Sequence, residues 1–376
     1  MAKSKFSLFN ALLLAANSIA VILLIMAYLA SYFNPKTYFF IALCGCLYPY
    51  ILALNALFIV LWLFRLNKLF LLSLACILIG FNSLTRLYNF KPKPLPAETE
   101  NLVKVMSYNA QVMGLYSSAG KTSHNQRDSI IDLFKTEKPD ILCLQEYYSD
   151  NNPKTTFPTT SLIKKAVGEP NACFYMPVKR KNHQYGLAIF SKYPIVNQGN
   201  IDFKTATTNY AMYADLKIGN DTVRVFNVHF QSLHLKKEDY DFAQQAIGNS
   251  LEMSNEDLAE GSKRILRKMK KGFAVRSEQV RILKEHIQSS PYKMIVCGDF
   301  NDTPWSFTYK QIQDLLKDTH VESGKGFGNT MKINKLLAFR IDYIFCDKRF
   351  PTYQFTTKPS TLSDHLPIFV YVDVRN

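Results

Sequence analysis

Lys293-Met-Ile-Val-Cys-Gly-Asp299-Phe-Asn301 is the stretch from which the rest of the chain can be read. An apolar run of strand length stops at a glycine and is followed at once by a carboxylate and, two residues on, an amide. Burying such a run as a strand leaves its polar end on a rigid platform at the sheet margin. The same arrangement recurs on both sides. Asn109 follows Val103-Lys-Val-Met-Ser-Tyr108, Glu146 follows Asp140-Ile-Leu-Cys-Leu-Gln145, and His229 follows Val223-Arg-Val-Phe-Asn-Val228. Asp342 lies inside Phe339-Arg-Ile-Asp-Tyr-Ile-Phe345, and Asp364 and His365 precede Leu366-Pro-Ile-Phe-Val-Tyr371.

Further runs rich in Val, Ile, Tyr and Phe with polar breaks read as strands: Ala172–Val178, Gly186–Ser191, Tyr210–Ile218 and Tyr353–Thr357. Helical patterns interleave at Asn125–Lys138, over a long stretch from Lys236 to Gln288, and at Ser306–Lys317. Strands alternating with helices predict a layered α/β domain, a mixed sheet system covered by helices. The seven cysteines lie in or beside apolar runs and form no CxxC pattern, so neither a zinc site nor a disulfide framework is legible.

Taken singly, each polar strand end is ambiguous. A strand-end Asn is most often a turn or cap residue, a strand-end Glu is most often solvated, and a lone His is more often structural than catalytic. Together they pose an electrostatic problem, because carboxylates gathered at one end of a sheet repel one another unless a cation lies among them. Oxygen ligands without cysteine favour Mg²⁺, with Mn²⁺ as the alternative, over zinc. A Mg²⁺ held by few carboxylates polarises a phosphoryl oxygen and stabilises a leaving oxyanion.

The ordered set Met-Ser-Tyr-Asn109, Leu-Gln-Glu146, Asn-Val-His229, Gly-Asp299-Phe-Asn301, Ile-Asp342-Tyr and Ser-Asp364-His365 resembles the endonuclease/exonuclease/phosphatase (DNase I-like) superfamily. Gly186-Leu-Ala-Ile-Phe-Ser191-Lys-Tyr-Pro-Ile also looks like the family's central strand, and the likeness covers residues 102–376. It implies a four-layer α/β sandwich with the site at one end of two packed sheets. It further implies that Glu146 binds the metal, with Asn109 and Asp364 in or near its shell. Asp299 would align and deprotonate the attacking water, and Asn301 would hold that water or a phosphate oxygen. His365, oriented by Asp342, would stabilise the pentacoordinate phosphorus, and His229 would contact the phosphate or aid the leaving group. One departure is Gln111, where some abasic-site nucleases of the family carry an acidic residue.

The first ninety-seven residues contain no Asp or Glu. Phe6–Phe33, Tyr38–Phe64 and Leu69–Leu87 each meet the length of about 20 residues that a helical span requires. Tyr32, Tyr38, Trp62 and Tyr88 stand near the ends of these runs, where amphipathic aromatics favour the interface. The first run is longer than a signal-peptide core, and no small-x-small cleavage site follows it. The expected organisation is a transmembrane anchor of about three helices over 1–90, a stiff Pro-rich linker over 91–101 and a catalytic domain over 102–376. Two Lys before the first span against one after it place the N-terminus inside, and three spans then put the catalytic domain outside the cytoplasm of a bacterial inner membrane.

The net charge of +15 is shared by both parts and suits an anionic partner. Lys263, Arg264, Arg267, Lys268, Lys270 and Lys271 surround Ile265, Leu266 and Met269, a pattern read either as a solvated helix face or as a surface for anionic lipid or polyanion. The expected activity is metal-dependent hydrolysis of a phosphoester, on a lipid head group or another phosphorylated molecule near the bilayer. Degradation of DNA or RNA by a tethered nuclease is the alternative, and a membrane scaffold without activity is disfavoured by the retained ionisable set. Neither substrate identity nor oligomeric state is written in these motifs.

Overall fold

The computed structural model describes residues 8–115, 124–150, 157–168, 170–180, 183–205, 209–248, 253–332 and 338–375. Five helices come first: α1 (Leu8–Leu29), α2 (Phe39–Cys46), α3 (Tyr48–Phe64), α4 (Phe70–Ile79) and α5 (Phe81–Leu87). Among the described residues helix α1 is the one helix long and apolar enough by itself to cross a membrane, and residues 6 and 7 of the expected first span lie outside the described residues. The second and third expected spans are each broken into a pair, bent by 71° and 72°. The first break falls just ahead of Pro49, which cannot donate an N–H to the preceding turn, and the second falls at Gly80. Each pair passes the same length and hydropathy test when counted as one span. Inside the bundle Ser73 Oγ meets Asn17 Oδ1 at 2.6 Å and Asn55 Oδ1 at 3.0 Å, a polar tie among α1, α3 and α4.

Two six-stranded sheets follow. The first contains β1 (Leu102–Asn109), β2 (Ile141–Asp150), β3 (Asn171–Arg180) and β4 (His183–Ser191). The second contains β5 (Ile195–Ile201), β6 (Tyr210–Ile218), β7 (Asp221–His229), β8 (Lys293–Asp299) and β9 (Lys317–Asp318). A hairpin of β10 (Met331–Lys332) and β11 (Ala338–Phe339) precedes β12 (Asp342–Cys346), β13 (Thr352–Thr357) and β14 (Ile368–Asp373). Strand order is β13-β14-β1-β2-β4-β3 in one sheet and β5-β6-β7-β8-β12-β9 in the other. The central pairs β1–β2 and β7–β8 are parallel and their flanking strands antiparallel.

Alternation of side chains between the two faces of each sheet explains the layers. Val103, Val105, Ile141, Val225, Ile295 and Ile344 point into one core shared by both sheets. Met106, Tyr108, Leu142 and Leu144 point the other way, against α6 (His124–Glu137) and α7 (Thr160–Ala166). Phe226, Val228 and Val296 pack on α9 (Asn255–Gln288) and α10 (Phe307–Gln313). The result is the expected four-layer sandwich. Strand β5 escapes a reading by apolar pattern because Ile-Val-Asn-Gln-Gly-Asn-Ile is a mostly exposed edge strand. The long Lys236–Gln288 stretch divides into α8 (Lys237–Gly248) and α9, whose N-cap Ser254 accepts from the Asp257 N–H. The last helix is α11 (Thr319–Ser323).

The apolar helices and the sandwich are joined at the loop that carries Trp305. Trp305, 4% exposed, stacks on Tyr48 with ring centroids 4.3 Å apart and donates from Nε1 to Ser83 O at 3.1 Å. Ser31 Oγ donates to Trp305 O, and an Arg86 guanidinium N–H donates to Pro304 O. Gly45 must lack a side chain, since a Cβ there would stand 2.5 Å from Ala30 Cβ and 3.0 Å from Trp305 O. The Lys91–Pro96 segment forms no helix or strand and is docked on the sandwich. Asn89 bridges to Gly326, and Gln354 N donates to Lys93 O at 2.7 Å.

Candidate active site

Strand register assembles the site. On three neighbouring strands His229 of β7, Asp299 of β8 and Asp342 of β12 stand side by side, as Cα partners His229↔Asp299 and Asp342↔Asp299. Asn109 closes β1 in the facing sheet beside Gln145, and Glu146 follows at the point where β2 and β4 shift register. Glu146 and Asn301 adopt φ of +47° and +52°. Such conformations cost free energy in non-glycine residues and persist where the surroundings impose them. Gly298, at φ +152°, is required sterically, because a Cβ would lie 2.0 Å from Val228 O.

Asp299 is the hub. Its Oδ2 accepts from Asn109 Nδ2 at 3.0 Å and lies 3.7 Å from both His229 Nε2 and His365 Nε2. Its Oδ1 accepts from the Asn301 N–H at 2.8 Å. Asn109 Nδ2 also reaches Glu146 Oε1 at 3.2 Å, and that oxygen is 3.9 Å from His229 Nε2. His365 Nδ1 faces both Asp342 oxygens, at 2.9 and 3.1 Å. The eight residues do not all converge equally. Asn301 turns its amide away to donate to Phe230 O, and Asp364 stays exposed at the rim. Ser363 Oγ meets Asp364 Oδ1 at 3.2 Å and Asn109 O at 2.9 Å.

Burial depresses the basicity of His365, but Asp342 and Asp299 outweigh it and raise the imidazole well above its ordinary value. Burial, with the Asp299 charge adding to it, pushes the Asp342 carboxyl up to about 6. The pair therefore shares its proton across the Nδ1 contact, with the imidazolium as the favoured holder. That leaves His365 Nε2 aimed at the space beside Asp299 as a charged donor.

A divalent cation fits this donor set. Among the described residues no Lys or Arg pairs with Glu146 or Asp299, so two facing carboxylates are bridged only by the Asn109 amide. His229 Nε2 is buried without a hydrogen-bond partner. Asp299, Asp342 and His365 also form a tight trio, with candidate ligand atoms within 4.8 Å of one another. In that trio both Asp342 oxygens are already engaged by His365, and all three groups are buried. A divalent cation retains waters when bound, and the half-exposed Glu146 leaves room for them.

Several supporting residues carry no chemistry and were not singled out from the motifs. Gln145 Nε2 donates to Asn227 Oδ1 at 2.7 Å and meets Ser107 Oγ at 3.1 Å, while Asn227 Nδ2 donates to Leu144 O and Ala188 O. This buried clamp ties the two sheets directly beneath Glu146 and His229, which accounts for the Gln in Leu-Gln-Glu and the Asn in Asn-Val-His. Arg276 of α9 pairs with Asp302 at 3.1 Å and donates to Gln231 O, fastening the loop after Asp299 to the loop after His229. Thr330 Oγ1 accepts from the N–H groups of Ile341 and Asp342 and fixes the start of β12. A polar residue one or two positions before a strand-end ligand is the only sequence signal for the clamp, and none marks Arg276 or Thr330.

Residues 106–365 match the Endonuclease/Exonuclease/phosphatase family, and the chain belongs to it. Members of this family are hydrolases acting on phosphoester bonds and depend on a divalent metal, and the chain is such a hydrolase. Residues 10–87 match a domain of unknown function. No curated protein matches the chain. Solved structures share the fold. The endonuclease/exonuclease/phosphatase from Bacteroides vulgatus is 16% identical with a TM-score of 0.53, covering 73% of this chain and 99% of that one. The endonuclease/exonuclease/phosphatase from Beutenbergia cavernae is 16% identical with a TM-score of 0.51, covering 73% and 72%. The human Nocturnin catalytic domain, solved with a bound sulfate anion, is 19% identical with a TM-score of 0.50, covering 72% and 94%.

Asp342→Asn removes the leading charge that raises His365. The imidazolium is then lost at lower pH, so the alkaline limb of the pH–rate profile moves down and kcat falls by about 10²-fold. A pH–rate profile superimposable on that of the wild type would contradict the assignment.

Proposed function

We propose that the protein is a membrane-anchored, Mg²⁺-dependent phosphoesterase acting on a lipid head group or another phosphoester held near the bilayer. The observation that carries this reading is the convergence of Asn109, His229 and His365 on one oxygen of Asp299, beside Glu146, in a loop whose far end is seated in the apolar helices. Glu146 would hold the cation, with Asn109 and Asp364 in or near its shell. When bound, the ion neutralises the facing carboxylates and polarises a phosphoryl oxygen. Asp299 then orients the attacking water and takes its proton. Asn301 acts as a positioning residue, since its N–H and amide fix Asp299 and the Phe230 carbonyl. The His365 imidazolium, held by Asp342, donates from Nε2 to the developing phosphorane oxygen, and His229 serves the phosphate or the leaving group.

The helices over 1–90 serve as the anchor and residues 91–101 as the connection to the catalytic domain at 102–376, in a bacterial inner membrane with that domain outside the cytoplasm. Nucleic acid remains a second reading for one reason. Arg264 and Lys268 are paired with Asp239, whereas Lys263, Arg267, Lys270 and Lys271 are exposed and have no ion pair among the described residues. Lys268 also donates to His234 O, which brings this basic stripe to the loop after His229.

A panel of phospholipid vesicles, soluble phosphodiesters and phosphomonoesters, DNA and RNA, each with Mg²⁺ or Mn²⁺, tests the reading. Asp299→Ala should lower kcat/KM on the accepted substrate by about 10³-fold, and chelation should abolish turnover. Unchanged turnover in Asp299→Ala overturns the assignment, and cleavage confined to nucleic acid selects the second reading. Protease added to intact spheroplasts should remove the catalytic domain; a domain left uncut places it inside.

A further inference from the structure

Between the apolar helices and the sandwich lies a groove of about 340 Å³. Pro49, Tyr50 and Ala53 of α3 form one wall, and Trp305 and Phe339 form the other. The sandwich wall is built from the chain segments that carry the chemistry. Thr303 follows Asn301 by two residues, and Arg340 precedes Asp342 by two. Two residues of extended chain span about 7 Å at most. The hairpin supplying Phe339 is also paired to the site, since Met331 bridges to His365 and pairs with Phe339. The sandwich wall of the groove is therefore carried on chain segments continuous with Asn301 and Asp342.

Its outer end faces where lipid would be. Ala53 is exposed on α3, and Tyr50 and Phe327 are 37% and 53% exposed. Tyr88 contacts the rings of both Phe327 and Phe90 at 4.9 and 4.6 Å, so an aromatic cluster adjoins the mouth. Clusters of this kind sit at the level of lipid head groups. One charge on the wall is also unmatched. Arg340 is paired with Asp318 at 2.6 Å, but the half-buried Arg86 donates only to Pro304 O and, at 3.5 Å, to Ser31 Oγ, with no carboxylate in ion-pair distance among the described residues. An apolar slot with one spare cation matches an amphiphile that has an acyl chain and an anionic head.

We propose that this groove takes the acyl chain of an anionic membrane phospholipid, with its phosphate beside Arg86 and its phosphoester directed toward Asp299 and His365. Substrate then enters sideways from the bilayer, not from water. The inference rests on the reading of the site as a phosphoesterase and of the apolar helices as membrane spans, and it narrows the substrate class to lipids.

The test uses the full chain in phosphatidylcholine vesicles doped with phosphatidylglycerol bearing a photoactivatable acyl chain. Irradiation should label Pro49–Ala53 and the Phe327 and Phe339 segments, and Ala53→Trp, which fills the mouth, should remove that label. Excluding even two buried methylenes should lower the ratio of vesicle-lipid turnover to bis-para-nitrophenyl phosphate turnover by about tenfold. Leu57→Trp, one turn along α3 and outside the groove, should leave labelling and turnover as in the wild type. Label spread evenly over the helices in both proteins overturns the proposal, as does an equal loss of both activities in Ala53→Trp. Groove labelling by a wild-type protein that hydrolyses no phosphoester removes the phosphoesterase reading and leaves the lipid groove standing.

Discussion

The site depends on one constraint: Asp299 is a nearly fully buried carboxylate with no Lys or Arg in ion-pair distance among the described residues. A buried charge without compensation is among the costliest things a fold can contain. Here its two oxygens are covered by an amide, a backbone N–H and the approach of two imidazoles. Each of those donors is held by something else. His365 is fixed by Asp342, Asn109 stands at the end of a parallel pair, and the Asn301 turn is pinned to Phe230. The contacts that hold Asp299 in place are thus the same contacts that make its burial tolerable.

That arrangement extends outward to the apolar helices. The loop leaving Asp299 carries Asp302, clamped by Arg276, and then Trp305, sunk among α1, α3 and α5 contacts. Helix α9 reaches the start of α2 through Phe39 and Phe273 and through Lys36 with Glu278. The end of the sandwich that carries the candidate site is therefore the end that faces the apolar helices.

Much of this was legible in residue order. Strand-end Asn, Glu, His, Asp and His residues pointed to the candidate site, and the strand-like runs Val103–Ser107 and Lys293–Cys297 pointed to the sheets, where they are buried almost throughout. Elements with weak local signal were lost. Strand β5 is polar because it lies at an edge, and α7 and α11 are too short for a helical period to show. The bends at Pro49 and Gly80 were missed because hydropathy counts apolar length without regard to helix continuity. The Gln145–Asn227 clamp, the Arg276–Asp302 pair and the groove at Trp305 join residues far apart in the chain, and no local pattern announces them.

The central claim is that Glu146, with Asn109 and Asp364 in or near the shell, and not the buried Asp299, Asp342 and His365 trio, receives the cation. Mn²⁺ binding to the purified full chain, followed by electron paramagnetic resonance, separates the two. The account predicts one site per chain whose affinity falls by about tenfold or more in Glu146→Gln and is largely kept in Asp342→Asn. Full affinity in Glu146→Gln with loss in Asp342→Asn would contradict it.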